Sequence, residues 1–140
     1  MIYKKHIRLI ELANDVADEF NTLLWSRPVK YSDLVRDLRG VTTSIGLYLW
    51  RNIKTKEPLY VGRSIQHHRG GLRKRMRQYV KMFENGDVDG SKVGLCSERH
   101  ESEILFMDLG EEHDALLLTI ILEAAIIHEL CPKYNIQLKR

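Results

Sequence analysis

Apolar residues recur at steps of three and four near the start of the chain: Ile10, Ala13, Val16, Ala17, Phe20, Leu23 and Leu24. That period marks one face of an α-helix. Ser26-Arg27-Pro28 breaks it. A second short helix is predicted from Ser32, a good N-cap, to Leu38, with Gly40 ending it. Residues 1–40 therefore read as a helical N-terminal extension. Residues 41–140 carry the rest of what reads as a single compact domain.

The period then changes. Ile45, Leu47 and Leu49 alternate with Gly46, Tyr48 and Trp50, as in a strand. A polar turn, Lys54-Thr55-Lys56-Glu57-Pro58, leads to a second strand in which Leu59 and Val61 alternate with Tyr60 and Gly62. So short a connection predicts an antiparallel hairpin. A turn centred near residue 54 sets Tyr48 opposite Tyr60, and directly opposed residues share a face.

From Gly71 to Phe83 the helical period returns, with Leu72, Met76, Tyr79, Val80 and Phe83 as the apolar stripe and Arg75 at its border. Asn85 to Gly90 is rich in turn residues. Glu103 to Asp108 reads as a third strand. Glu111 and Glu112 favour a helix start, and that helix runs to about Leu130, where Pro132 stops it. The order predicts an α+β fold, a small antiparallel three-stranded sheet flanked by helices.

Composition narrows the class. The 140 residues, 44% hydrophobic and 29% charged, suit one globular domain and exclude a disordered or collagen-like chain. Two cysteines, Cys96 and Cys131, exclude a disulfide-dense scaffold. The longest near-apolar run, Ala115 to Ile127, contains Thr119 and Glu123 and is too short and polar to span a bilayer. With no signal-peptide pattern at Lys4, Lys5 and Arg8, the default expectation is a cytoplasmic protein without a membrane partner.

The net charge of +3 says less than its distribution. Six Arg or Lys and no acid lie between Arg63 and Arg77, whereas ten Asp or Glu face two basic residues between Glu84 and Asp114. Such segregation predicts a positive patch. Glu123 stands out for the opposite reason. Its helical neighbours are Thr119, Ile120, Ile126 and Ile127. A carboxylate on a mostly apolar face needs a cation, a hydrogen-bond partner or a raised pKa. It is a structural ion pair, a metal ligand or a catalytic acid. Gly46 and Gly62 lie in the two hairpin strands, and strand glycine often marks a close approach.

Gly46-Leu47-Tyr48, eleven intervening residues, then Tyr60-Val61-Gly62 resembles the signature of the GIY-YIG nuclease superfamily. Leu72-Arg73-Lys74-Arg75-Met76 is similar to the family's helix, with Arg75 at the catalytic arginine. Tyr79 stands where the family carries Tyr or His, and Arg63 at a position often basic. Leu122-Glu123-Ala124-Ala125 through Pro132-Lys133-Tyr134-Asn135 resembles the closing motif, Glu123 and Asn135 being twelve apart. The resemblance covers about residues 45–136. Leu47 replaces the usual Ile, and His67-His68-Arg69-Gly70-Gly71 reads as an insertion relative to compact members.

The resemblance implies a metal-dependent endonuclease that hydrolyses DNA phosphodiester bonds, of restriction, phage or repair type. Its catalytic residues would be Tyr48, Tyr60, Arg75, Glu123 and Asn135, supported by Arg63 and Tyr79. Glu123 would hold one Mg²⁺ or Mn²⁺, a hard cation that accepts a single carboxylate plus substrate phosphate and waters. A signature tyrosine would be the base, with Tyr60 favoured for its adjacency to Gly62-Arg63. Arg63, Arg69, Arg73, Lys74 and Arg77 would track the DNA backbone, giving salt-sensitive binding without a sequence code. Restriction-type members imply a homodimer. The stretch His67–Gly71 and residues 1–40 are where target choice could lie.

Two other classes compete. One is a nucleic-acid-binding module of the same fold without cleavage. The other is a zinc-stabilised domain using Cys96, His100, His128 and Cys131, whose spacing departs from the usual finger pattern.

Overall fold

The structure is a computed structural model that describes residues 25–66, 69–90 and 92–135. The first predicted helix and His67-His68 lie outside the described residues. The elements run β1 (Val29–Lys30), α1 (Tyr31–Arg36), β2 (Ile45–Asn52), β3 (Pro58–Ser64), α2 (Gly71–Asn85), α3 (Lys92–Ser97), a 3₁₀ turn (Arg99–Glu101), β4 (Ser102–Gly110) and α4 (His113–Leu130).

The expected α+β architecture holds, with four strands in place of three. All neighbours are antiparallel, in the order β1-β4-β2-β3. The added strand, β1, has only two residues and pairs Val29 with Ile104 and Lys30 with Glu103. Two residues behind a proline have no alternation to read. The short helix expected from Ser32 starts at Tyr31, and Tyr31 and Leu34 are buried. Residues 29–36 are thus part of the sheet and its core.

Central strand β2 is buried from Ile45 to Trp50, as expected when both faces of a sheet are covered. One face carries Tyr48, Trp50, Ile104 and Phe106 against Leu72, Met76, Tyr79 and Phe83 of α2, with Tyr31, Leu34 and Leu95 closing the cluster. The other carries Leu47, Leu49, Val61, Leu105 and Met107 against Leu122, Ala125 and Ile126 of α4. Among the described residues no helix is long and apolar enough to cross a membrane.

The hairpin register corrects the expectation. Tyr48 faces Gly62, and Trp50 faces Tyr60, with a bulge between Trp50 and Arg51. The turn is set by Asn52, whose side-chain oxygen accepts hydrogen bonds from the backbone N–H of Lys54 and Thr55. Its centre falls one residue later than expected, which moves each partner by two. A shift of two leaves the face unchanged, so Tyr48 and Tyr60 remain on one side as diagonal neighbours.

Candidate active site

The site begins with the pleat of the hairpin. Tyr48 and Tyr60 project from β2 and β3 on the α2 side, their rings 6.3 Å apart and inclined by 28°. On α2, Arg75 and Tyr79 are four residues apart and share a face. The hydroxyls of Tyr48 and Tyr79 are hydrogen-bonded at 2.9 Å. Arg75 donates a long hydrogen bond from Nε to the Tyr48 hydroxyl at 3.4 Å. Its guanidinium carbon lies 5.3 Å from the centre of the Tyr79 ring. Three tyrosines and one arginine, spread over 32 positions of the sequence, meet at one corner of the sheet.

Burial tunes these phenols. Burial pushes the Tyr48 hydroxyl up to about 12, although Arg75 pulls it down. Tyr79 is raised as well, first by burial. Tyr60 is also raised by burial, with Tyr79 and Arg75 acting downward and Glu123 upward. All three are neutral phenols near pH 7. Tyr48 is only 1% exposed, whereas Tyr60 keeps part of its surface open.

Glu123 finds the cation its setting demanded. Arg63 Nη1 lies 2.7 Å from Glu123 Oε1, joining β3 to α4. The carboxylate sits at a boundary of α4, between buried Thr119 and Ile126 on one side and exposed Ile120 on the other. It retains 17% of its side-chain exposure, enough to present hard oxygen to an ion. Among the described residues no three His, Cys, Asp or Glu gather as a metal cluster. The four residues of the zinc alternative therefore form no such cluster. A hard divalent ion at Glu123 would need its other ligands from water and phosphate.

Asn135 acts on the backbone. Its side-chain oxygen accepts from Val61 N–H at 2.9 Å, and its amide nitrogen donates to Val61 O at 2.9 Å. Lys133 and Tyr134 donate backbone N–H groups to Pro58 O and Leu59 O. The loop after α4 thus pairs with the otherwise open edge of β3 and holds the strand that carries Tyr60 and Gly62.

The basic residues divide. Arg63, Lys74 and Arg75 line a cleft of about 250 Å³, together with Ser64, Gln66 and Gln78, and among the described residues no carboxylate lines it. Arg69 and Arg77 are exposed. Arg73 donates to Val41 O at 2.8 Å and to Arg39 O at 3.1 Å; its guanidinium ties α2 to the loop before β2.

Lys92 was not among the sequence candidates. It lies on α3, and its Nζ stands 3.4 Å from the centre of the Tyr60 ring. The one available signal was its charge, as one of two basic residues in the acidic stretch 84–114.

Among curated proteins the chain is similar to UvrABC system protein C of Helicobacter pylori strains J99 and HPAG1, 30% identical over 111 residues in each case. The same protein of Helicobacter acinonychis strain Sheeba is 29% identical over 111 residues. These matches cover 77% of this chain and 17% of each relative, so the chain spans about a sixth of the relatives' length. No family model matches, and no solved structure matches.

Proposed function

We propose that this chain is a GIY-YIG-type, metal-dependent endonuclease that hydrolyses DNA phosphodiester bonds. The observation that carries the reading is the meeting of Tyr48, Tyr60, Tyr79 and Arg75 beside a cleft lined by Arg63, Lys74 and Arg75. An anionic backbone fits a cleft lined by these cations. The likeness to UvrABC system protein C supports the repair type over the restriction or phage type.

Tyr60 is the base that takes the proton from the attacking water, because it is partly exposed where Tyr48 is buried. Bringing an ordinary phenol from 10 to near 7 requires about 4 kcal/mol of phenolate stabilisation, and Tyr60 starts above that value. Burial opposes this, while Arg75 and Tyr79 contribute in its favour. Tyr48, held by Tyr79, orients the water. Arg75 donates charge-assisted hydrogen bonds to the phosphate oxygens as negative charge builds in the transition state. Glu123 is the ligand for the Mg²⁺ or Mn²⁺, which when bound supplies positive charge to the phosphate and the leaving oxygen. Asn135 keeps β3 in place beneath Tyr60. Arg63, Arg69, Lys74 and Arg77 bind phosphates along the strand, and Arg73 supports them by anchoring α2.

Supercoiled plasmid incubated with Mg²⁺ or Mn²⁺ tests the reading. The wild type should nick or linearise it, and Glu123→Ala and Arg75→Ala should not. A folded wild type that leaves plasmid and branched DNA intact while still shifting DNA on a gel is a binding module, and the nuclease reading fails.

A further inference from the structure

Lys92 brings a second cation into the tyrosine cluster, and the mechanism above leaves it without a role. Its Nζ lies 3.4 Å from the centre of the Tyr60 ring and 5.4 Å from that of Tyr79. Arg75 stands over the same Tyr79 ring at 5.3 Å. Two positive groups therefore converge on one aromatic pair. Among the described residues, neither enters an ion pair with a carboxylate. Arg75 hydrogen-bonds to the Tyr48 hydroxyl and to Gln78. Glu123, whose charge reaches Tyr60, is already engaged by Arg63.

This arrangement is held by packing. Helix α3 is anchored through Leu95, which is fully buried. Gly94 lies so close beneath Tyr134 that a Cβ there would meet the ring at 2.2 Å. Tyr134 belongs to the loop that pairs with β3, and Lys133 adds an ion pair to Glu98 at 3.2 Å. The start of α3 and the strand bearing Tyr60 are thereby tied to one loop. The other basic residue of the acidic stretch, Arg99, is engaged by Glu84 and the Cys96 carbonyl.

Holding two cations together in a half-buried site, with neither in an ion pair among the described residues, is unfavourable. Burial, and then the charge of Arg75, pull the Lys92 ammonium down to about 8. An anion placed between the two relieves both effects. Cation–π contact with Tyr60 offsets part of the cost while the site is empty of substrate.

We propose that Lys92 is a phosphate-binding residue of the active site, its ammonium contacting a non-bridging oxygen of a substrate phosphate that it shares with Arg75. The proposal rests on the nuclease reading and adds a contact from α3 to the contacts from β3 and α2. It makes Lys92 a direct ligand of the strand being cut, distinct from the cations of β3 and α2 that bind neighbouring phosphates.

The test compares wild type, Lys92→Met and Lys92→Arg in plasmid nicking with Mg²⁺, alongside thermal melts. Binding of a duplex is measured against salt in the Glu123→Ala protein, with and without Lys92→Met. Loss of one charge-assisted contact lowers kcat/KM in Lys92→Met on the order of ten- to a hundredfold, with Lys92→Arg recovering most of it. The salt slope of binding falls by about 0.9 for the one lost phosphate contact. Wild-type nicking and an unchanged slope in a folded Lys92→Met protein overturn the proposal. A lowered melting temperature with an unchanged slope, not rescued by Lys92→Arg, also overturns it and makes Lys92 a packing residue. If the wild type does not nick, the nuclease reading fails, and the slope in the Glu123→Ala protein still decides the phosphate contact. Absence of any DNA binding by wild type and by that protein alike overturns both.

Discussion

The ring of Tyr48 lies across Gly62. A Cβ at position 62 would meet the Tyr48 hydroxyl oxygen at 2.2 Å and Cζ at 2.4 Å. The two residues are direct cross-strand partners on β2 and β3. The missing side chain at 62 is the space through which Tyr48 reaches Tyr79 and Arg75. This is the close approach that strand glycine often signals. The approaching group is another side chain of the site.

Gly62→Ala is therefore expected to displace the Tyr48 ring. Overpacking of this kind costs about 1–3 kcal/mol, readable as a lower urea midpoint. Cleavage should fall further than the fraction unfolded explains, because the Tyr48–Tyr79 hydrogen bond is broken. Wild-type stability and cleavage in this variant would show that the ring moves aside freely and that its placement is not needed.

Asn135 holds β3 through one donor and one acceptor on Val61. Replacing it by Ala removes both hydrogen bonds, at about 0.5–1.5 kcal/mol each. Asn135→Asp keeps the acceptor and loses the donor. The expected order of stability is Asn, then Asp, then Ala. Hydrogen exchange at the Val61 amide should accelerate in Asn135→Ala. A contact to DNA alone would leave both measurements on the free protein unchanged.

Glu103 makes acid stability readable. It is 5% exposed on β4 and meets Arg51 at 2.6 Å and Lys56 at 3.2 Å. Burial raises its carboxyl, but hydrogen bonds from Arg51 and Lys56 outweigh it, and the pKa ends below the ordinary 4.5. A carboxyl depressed by folding stabilises the protein above its unfolded pKa, and that contribution is lost as pH falls through the folded value. Urea midpoints should therefore drop on acidification below about pH 4.5, and Glu103→Gln should flatten that drop. At neutral pH, Glu103→Ala leaves Arg51 and Lys56, both partly exposed, without their shared partner and should cost about 1 kcal/mol or more of stability, read as a lower urea midpoint. Equal acid limbs in wild type and Glu103→Gln would assign the pH dependence to other carboxylates.

The base assignment predicts a pH profile. Tyr60 titrates above its ordinary 10, so its phenolate fraction grows about tenfold per pH unit below that value. With Mg²⁺ fixed, log rate should climb from pH 6 and level off only where Tyr60 becomes ionised in the metal- and substrate-bound site. Tyr60→Phe should lose about 10²- to 10⁴-fold, the usual contribution of a general base. A retained rate in Tyr60→Phe would move the base to another group.

Period and spacing along the chain were sufficient for the hairpin, the amphipathic α2, the third long strand and the helix ended by Pro132. Each of these is specified by residues within about one element of one another. The same locality made Glu123 conspicuous: a carboxylate with isoleucines one turn away in either direction requires a partner wherever the helix lies. Its partner, Arg63, is 60 positions distant, and no local pattern could select it over the other cations of the basic stretch.

Contacts between distant segments decided the remainder. The hairpin register depended on the Asn52 turn and the bulge after Trp50, where a one-residue change in the turn moves partners by two while the face stays the same. Strand β1 exists because β4 offers an edge to it, and two residues have no period of their own. Arg73 and Arg75 look alike in the run Arg73-Lys74-Arg75. The turn of the helix sends one to backbone carbonyls and the other to the tyrosines. Asn135 meets Val61 across 74 positions, and Lys92 reaches Tyr60 only because Gly94 and Leu95 seat α3 against the sheet. Periodicity reports which side of an element is apolar, whereas the identity of a charged group's neighbour is set by packing.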